Sequence, residues 1–469
     1  MSVLSIDYSL SPHEKPRKEN LWKRVALLAA PVVVEQVLHS IVQFTDTYIA
    51  NNLIESSAAG ALEANRQAGS AIGTVAYLIW FFGLIAGTIG VGSTALIARA
   101  VGAQHRSVAN SVCGQAMIAA FVLGFVLGLL MWFGAGAIGK ISGLPPEAIP
   151  NFTTYMRIMA PALPLTIVMF AAASCLRGAG DTLSTAVAFI VLDLTNALLS
   201  LGLTRGWGPL PNLGFAGIAV GTSIAYSIGA ILMLIVLFSG RSKVRLYRHR
   251  LIPNWLTMKR MLRIGLPAGA EQTLQWIANF VIIIWINRMG LLSASAHLNV
   301  IRLEAFSYLV GMSFAVAAST LVGQSLGMKN VPRARKCAFI SFALGGGFMG
   351  TMGLIFIALG PWLVSLITDD AEMARLAGQC MQITGFTQLA FASAMIFGAA
   401  LRGAGETLSV LCTNLASIIG VRLVAVIIAI EYFDAGLKTV WLIFAGEMII
   451  RGVLLFLQFK RGRWATIKI

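Results

Sequence analysis

Long apolar runs, separated by short polar segments, dominate the chain. The run at 281–286 is apolar on every face and does not alternate, which indicates an α-helix and not a strand of a β-barrel. A helix needs about 20 residues to cross ~30 Å of hydrocarbon. Twelve stretches satisfy this requirement, near 24–50, 68–98, 110–138, 152–176, 184–204, 213–239, 261–287, 292–325, 334–367, 376–400, 408–430 and 437–460. The pattern therefore predicts an all-α polytopic membrane protein with twelve transmembrane helices.

The second half of the chain repeats the first. Residues 176–184 read LRGAGDTLS and residues 401–409 read LRGAGETLS, so nine residues recur 225 positions later with one change. Glu35 likewise matches Glu271, 236 positions later. Six spans for each repeat unit predict two pseudo-symmetric six-helix lobes, as in transporters whose substrate path runs between two halves.

The repeat also predicts how the chain is divided. An N-lobe of six spans occupies 24–239 and a C-lobe of six spans occupies 261–460. The polar segments around them become a cytoplasmic N-terminal segment at 1–23, a cytoplasmic linker at 240–260 and a cytoplasmic tail at 461–469.

Composition narrows the class further. Hydrophobic residues make up 57% of the 469 positions and charged residues 12%, which would leave a soluble globule without enough polar surface. The sequence contains no GxxxxGK[ST] motif of an attached ATPase, so pumping must draw on an ion gradient or on the substrate itself. No His, Cys or acidic residues have catalytic or metal-ligand spacing. We therefore expect neither an enzyme nor a cofactor or metal site.

The distribution of the net charge of +16 indicates how the protein is oriented in the membrane. Basic residues concentrate in the segments on one side of a twelve-span topology, while the loops of the other side are acidic or mixed. The positive-inside rule then makes both termini cytoplasmic, in a multi-pass protein of the cell membrane, here the bacterial inner membrane. We expect the basic segments to contact anionic lipid headgroups and not nucleic acid, and the protein to be a monomer.

Span 1 carries three polar residues on one face. Glu35, His39 and Asp46 are four and seven residues apart, so they lie within about 40° of one another around the helix and form a stripe ~16 Å long. Glu35 recurs as Glu271, which favours a structural role in both lobes. Asp46 has Ile282 as its counterpart in the second half, and an acid present in only one half is the better candidate for a protonation or cation site.

The second half has charged residues of its own within the spans. Arg302 and Glu304 are two residues apart on span 8 and cannot face each other, so each needs a partner elsewhere. We expect Glu271 to pair with Arg302 in a buried ion pair; the alternative is that these groups form a second substrate-binding acid site in the C-lobe. Glu447 and Arg451 have the spacing of an ion pair within one helix.

The paired motifs resemble those of the MATE family of multidrug and toxic compound extrusion transporters. The resemblance rests on the RGxG[DE]T segments that end spans 4 and 10, the glycine turns after spans 2 and 8, and Pro31 fifteen residues before Asp46. It covers nearly the whole chain. It implies two six-helix lobes that export amphipathic, often cationic compounds by antiport against protons or sodium.

The DinF-like branch of that family is the most similar. It implies a coupling aspartate at Asp46, a proline hinge at Pro31, and three polar partners at Tyr155, Asn196 and Thr222. The departure is Ser200, which stands where the branch has a second aspartate; either Asp193, one turn away on the same span, replaces it or Asp46 acts alone. The NorM-like branch is less similar, since its second-lobe acids would fall at Gln275 and Phe391.

These inferences combine into one expected mechanism. Protonation of Asp46 and binding of a cationic substrate compete, so proton entry from outside expels the substrate; the proton is favoured as coupling ion, with sodium possible. The repeated turns are expected to be structural, through Arg177, Gly178, Gly180 and Asp181 in one half and Arg402, Gly403, Gly405 and Glu406 in the other. Two alternatives remain, a flippase of lipid-linked precursors and a dedicated exporter of one metabolite or siderophore.

Overall fold

A computed structural model describes residues 20–51, 61–368 and 370–467 of the chain. Residues 1–19 and 468–469 lie outside the described part, so most of the predicted N-terminal segment at 1–23 and the last residues of the tail at 461–469 do too. Throughout the described ranges the regular structure is helical.

Twelve long helices follow one another in the described part of the chain, and the ends of each predicted span lie within seven residues of the ends of one of them. They are α1 (Leu21–Asn51), α2 (Ala61–Gly102), α3 (Arg106–Ile141), α4 (Ile149–Ala179), α5 (Thr182–Arg205), α6 (Phe215–Ser239), α7 (Trp255–Arg288), α8 (Leu291–Gly327), α9 (Val331–Ser365), α10 (Ala371–Gly403), α11 (Thr407–Phe433) and α12 (Leu437–Arg461).

Eleven of these helices are long and apolar enough to cross a membrane in the part of the chain that is described. The remaining one, α7, has 34 residues, but Lys259, Arg260 and Arg263 near its start reduce its apolar character. The prediction of an all-α polytopic membrane protein with two six-helix lobes is confirmed. Helices α1 to α6 form one lobe and α7 to α12 form the other.

Two helices change type along their length. In α4 the segment Ala160–Ala162 is a 3₁₀ turn that contains Pro161 and is followed by Pro164, and neither proline can donate a backbone hydrogen bond. In α11 the segment Ala416–Leu423 is π-helical, a form found mainly at functional or strained positions.

The lobes meet at one end of the bundle, which we call the basic end because α1 begins there and the basic connections lie there. A small apolar cluster joins the start of α1, at Val25 and Leu28, to the last turns of α8, at Ala317 and Leu321. Contact between lobes continues along α2 and α7 as far as the rings of Phe81 and Trp276, whose centroids are 5.7 Å apart.

Glycines let the helix backbones touch where the lobes cross. A Cβ atom at Gly102 would overlap the carbonyl oxygen of Gln324, and one at Gly327 would overlap that of Arg99. The side chain of Gln324 reinforces the crossing, because its Nε2 donates to the Gly178 carbonyl at 3.3 Å and its Oε1 accepts from Arg24 at 3.1 Å. We call this crossing of the last turns of α2 and α8 the seam.

The connection between the lobes is fixed to α3. The buried side chain of Gln115 donates to the carbonyl of Ile252 at 2.8 Å and accepts from the backbone N–H of Asn254 at 2.8 Å. Asn110 accepts from the N–H of Arg245 at 2.8 Å. The linker predicted at 240–260 therefore ends earlier than expected, since α7 already begins at Trp255.

Candidate functional site

Asp46 lies one and a half turns before the end of α1, facing α5 within the N-lobe. Its carboxylate interacts with the side chains of Ser200 and Asn196, and the charges of His39 and Asp193 act on it. Its Oδ1 atom is buried without a hydrogen-bond partner in the structure. No arginine or lysine forms an ion pair with Asp46 within the described residues, whereas Asp193 lies against His39 and Glu35 against Arg177.

The polar residues expected around Asp46 do gather there. Asn196 on α5 donates from Nδ2 to the Thr222 hydroxyl on α6 at 3.0 Å and approaches the Ser200 hydroxyl at 3.4 Å. The fully buried Tyr155 on α4 interacts with Thr222, and the charge of Asp46 acts on it. Four helices therefore contribute to one polar pocket, which we call the N-lobe site.

Tyr226 belongs to the same site, although it was not among the site residues predicted from the sequence. It is buried on α6, and the charges of both Asp193 and Asp46 act on it. Its position four residues after Thr222 places both side chains on one face of α6, which is the spacing that could have indicated it.

The structure gives Ser200 and Asp193 different neighbours. Ser200 faces Asp46, whereas the Oδ1 atom of Asp193 lies 3.0 Å from Nδ1 of His39. Asp193 is almost fully buried, and the His39 side chain is a quarter exposed. The acid nearest to Asp46 is thus already engaged by an imidazole.

Glu35 continues this stripe toward the basic end. Its carboxylate forms a buried ion pair with Arg177, the arginine of the first repeated motif. Arg177 also lies over the ring of Phe189, 5.7 Å from the centroid. His39 and Asp193 also act electrostatically on Glu35, so ionisable side chains follow this face of α1 from Glu35 to Asp46.

The C-lobe reproduces that ion pair at the equivalent position. Glu271 on α7 accepts from Nη1 of Arg402 at 2.9 Å and from Asn414. The predicted pair of Glu271 with Arg302 is therefore wrong. Helices α7 and α8 are joined by a short turn at Met289 and Gly290, and Arg302 lies about 9 Å nearer to that turn along its helix than Glu271 does along its own. Arg302 is exposed instead.

Glu447 and Arg451 form the expected pair on α12, with Nε and Oε1 3.2 Å apart. Sequence spacing did not reveal two further members of this cluster. Arg422, in the π-helical segment of α11, also pairs with Glu447, and the Ser417 hydroxyl donates to Glu447 Oε1 at 2.6 Å. One glutamate therefore stands between two buried arginines, which leaves the cluster with an excess positive charge.

The repeated motifs build the turns between α4 and α5 and between α10 and α11. Gly180 and Gly405 have φ of +88° and +91°, a left-handed conformation that favours glycine. Asp181 then caps α5 by accepting from the N–H of Ser184 at 3.1 Å, whereas Glu406 reaches only the Ser409 hydroxyl, at 2.8 Å.

Two glycines of these motifs pack against neighbouring helices. A Cβ atom at Gly178 would crowd the Thr94 carbonyl, and one at Gly403 would overlap the Ser319 carbonyl. The residues that the structure describes include no group of three or more His, Cys, Asp or Glu that could hold a metal ion.

Two lobes of six long helices, with a few ionisable side chains buried inside, form an architecture typical of membrane transporters. The profile of the MatE family matches residues 31–201 and 267–428, once in each lobe. The chain belongs to the MatE family.

Individual proteins resemble the chain over nearly its full length. The "Probable multidrug resistance protein NorM" of Thermotoga maritima is 25% identical, over 97% of this chain and 96% of that protein. The "Probable multidrug resistance protein YoeA" of Bacillus subtilis is 25% identical over 94% of each. In fold, the chain is similar to a structure described as "Crystal structure of MATE in complex with MaL6", with a TM-score of 0.85, 18% identity and coverage of 96% and 97%. Similarity to the DinF-like branch stays a prediction.

Proposed function

We propose that the chain exports amphipathic, often cationic drugs or metabolites by alternating access, in antiport with protons in preference to sodium. The names of the NorM and YoeA relatives support a role in multidrug resistance. The two-lobe architecture supports alternating access, because two rigid bundles can rock about a site between them. Small amphipathic molecules and membrane lipids are then the partners, and no cofactor takes part.

We further propose that the basic end faces the cytoplasm of a bacterial cell and that both termini lie there. The concentration of arginine and lysine in the connections at this end supports that orientation. Because the seam closes the basic end, we infer a state whose substrate path opens on the opposite side. One chain supplies both lobes, which supports a monomer as the transporting unit.

Asp46 is the proposed switch. The observation that carries this role is that Asp46 lacks an ion-pair partner in the described structure, whereas Glu35, Glu271 and Glu447 are each neutralised by arginine. An uncompensated carboxylate within a membrane gains most from either a proton or a cation, and it cannot hold both. Proton entry from the outer side therefore releases a bound cation.

The residues around Asp46 orient its carboxylate. Asn196 and Ser200 interact with the carboxylate, and Thr222 and Tyr155 support Asn196. The pair of Asp193 with His39 lies nearer the basic end. Pro31, inside α1, leaves one backbone carbonyl without its helical donor and so gives α1 a place to bend.

Efflux of ethidium from drug-sensitive cells that express the protein tests this function. Wild type is compared with Asp46→Asn and with a matched control, Asp434→Asn, at an exposed position outside the site. A protonophore and a sodium pulse are applied separately. We expect efflux in wild type and control, its loss in Asp46→Asn, and collapse with the protonophore alone.

Other results lead to other conclusions. Efflux that survives Asp46→Asn would rule out the switch. A response to sodium in place of the protonophore would change the coupling ion. A wild type that moves no organic cation under either gradient would favour a dedicated metabolite or siderophore exporter, or a flippase of lipid-linked precursors.

A further inference from the structure

Helices α5 and α11 are equivalents in the repeat, because each directly follows one of the two recurring motifs. Helix α5 is a regular α-helix from Thr182 to Arg205, whereas α11 is π-helical over Ala416–Leu423. The two helices also differ in which side chains their middle turns bury. In α5 the buried residues are Leu192, Asp193, Asn196 and Ser200. In α11 the buried residues are Ser417, Ile418, Arg422 and Val426.

The two burial patterns differ by one inserted residue. At the repeat offset of 225, the first two buried positions of α5 fall on Ser417 and Ile418, which are buried as well. The next two fall on Val421 and Ala425, each one residue before the side chain that α11 buries. The π segment therefore accommodates one extra residue, and it turns Arg422 into the C-lobe where a regular α-helix would place Val421.

Glu447 on α12 contacts both ends of this extra turn. The Ser417 hydroxyl donates to Glu447 Oε1 at 2.6 Å, and Nη2 of Arg422 lies 2.5 Å from Oε2. In an α-helix, residues five apart point about 140° away from each other, so Ser417 and Arg422 would be directed away from a common carboxylate. The i→i+5 bonds of a π turn bring them to one side. The two contacts with Glu447 therefore stabilise the π-helical form.

The part of α11 beyond the π segment can pack in more than one rotation. Every residue from Val424 to Ile430 is apolar, so no polar position determines which face turns inward. Within the segment, Gly420 has open space around it, because a Cβ atom there would meet no other atom. Return of the segment to an α-helix would rotate Val424–Phe433 by about 100° and shift it by about 1.5 Å along its axis.

Separation of Arg422 from Glu447 would leave neither charge isolated. Glu447 keeps Arg451, whose Nε lies 3.2 Å from Oε1. Arg422 also acts electrostatically on Glu304 of α8, so the guanidinium still has an acid in its surroundings. A buried ion pair is costly to break when one partner remains alone, and this arrangement lowers that cost.

We propose that the π segment of α11 is a hinge whose π-helical form is stabilised by Glu447. During transport Arg422 leaves Glu447, the segment becomes α-helical, and Val424–Phe433 rotates. These residues form the half of α11 away from the basic end, on the side where we infer that the substrate path opens. The link to transport rests on the proposed function, whereas the two forms of the hinge do not depend on it.

The distance between two spin labels in the purified full-length protein tests the hinge directly. The labels are placed at Tyr432→Cys, beyond the π segment, and at Leu366→Cys, both exposed, in a Cys412→Ser background. A rotation of about 100° moves a label on the helix surface by up to about 8 Å. We expect a changed distance in Arg422→Leu, which leaves Glu447 paired with Arg451.

Two further variants support that measurement. Ser417→Ala removes the other contact with Glu447 without touching a charge, and we expect the same change of distance to a smaller extent. Gly420→Ala is the control, because it keeps the inserted residue and its methyl group meets open space. Its distance should equal that of the parent.

Deletion of Gly420 tests whether the hinge serves transport. Without the inserted residue, a regular α-helix turns Arg422 and Val426 inward, so the latter half of α11 keeps its orientation but loses its second form. We expect an unfolding temperature close to that of wild type and the parent distance, even when Arg422→Leu is added. Ethidium efflux from cells should fall by about tenfold or more, because the hinge no longer turns.

Contrary outcomes are separable. An unchanged distance in both Arg422→Leu and Ser417→Ala would overturn the hinge. Efflux at the wild-type level after deletion of Gly420 would overturn its role in transport. If wild type itself exports no ethidium, the proposed function fails for that substrate, while the measured distances still decide whether α11 has two forms.

Discussion

Gly102 packs directly on the backbone carbonyl of Gln324 where the two lobes cross. The repeat relates this contact to a second one, in which Gly327 packs on the carbonyl of Arg99. Both contacts join backbone to backbone, so neither partner can adjust by changing a rotamer. The seam therefore closes only when the last turns of α2 and α8 reach one particular distance.

We expect Gly102→Ala to keep the basic end from closing. Its methyl group would overlap a carbonyl oxygen, at a cost of about 1–3 kcal/mol in the closed state. Spin labels at Arg106→Cys and Met328→Cys, in a Cys412→Ser background, should show a longer distance than in the parent. Gly83→Ala is the control, because that position faces open space. An unchanged distance in Gly102→Ala would disprove the role of this contact.

Breaking the repeated ion pairs should destabilise the protein. Glu35→Gln leaves Arg177 largely buried without its counter-charge, and Glu271→Gln does the same to Arg402. We expect each change to lower the free energy of unfolding by about 3 kcal/mol, visible as a lower thermal unfolding temperature of the purified protein.

Asp46→Asn provides the contrast in the same experiment. Because Asp46 has no ion-pair partner to lose in the described structure, its replacement should leave the unfolding temperature close to that of wild type while efflux is lost. Equal unfolding temperatures for Glu35→Gln and wild type would show that the pair with Arg177 contributes little to stability.

Dicyclohexylcarbodiimide should separate the two kinds of buried acid. This apolar reagent attacks protonated carboxyl groups, and the two arginines that flank Glu447 favour its ionised form. Peptide mass spectrometry should find Asp46 modified, less so as the pH rises, and Glu447 unmodified. Excess ethidium should protect Asp46. Modification of Glu447 to the same extent as Asp46 would contradict this division.

The pair of His39 and Asp193 should act as a unit. We expect His39→Asn and Asp193→Asn each to shift the pH profile of efflux, and the double variant to resemble a single one, because either change removes the same interaction. If Asp193 served alone as a second coupling acid, His39→Asn would leave the profile unchanged. Efflux at several pH values distinguishes these cases.

The fold could be predicted almost completely from the sequence. In lipid, a continuous hydrophobic run long enough to cross the membrane satisfies its own backbone hydrogen bonds by forming a helix, so the positions of the spans follow from hydropathy. The recurring LRGAG[DE]TLS segment predicted two like lobes. Prolines at 161 and 164 indicate a local break in α4 but do not specify the 3₁₀ turn at Ala160–Ala162, and the π-helical segment Ala416–Leu423 has no recognisable signal.

The site was predictable where residues share a helix. Spacing on α1 placed Glu35, His39 and Asp46 on one face, and the structure points all three into the N-lobe. Partners on different helices depend on depth and rotation, which hydropathy does not determine. This is why Arg302 was assigned to Glu271 incorrectly, and why the ion pair of Arg422 with Glu447 went unnoticed.

The attachment of the linker to Gln115 constrains how the lobes can move. The part of the linker that Gln115 anchors ends at Asn254, immediately before α7 begins. Almost no unanchored chain therefore remains between the N-lobe and the first helix of the C-lobe. A tether this short resists separation or sliding of the lobes but leaves rotation about its end free. The pivot for rocking should therefore lie at Asn254 and Trp255, on the surface of the protein and far from Asp46.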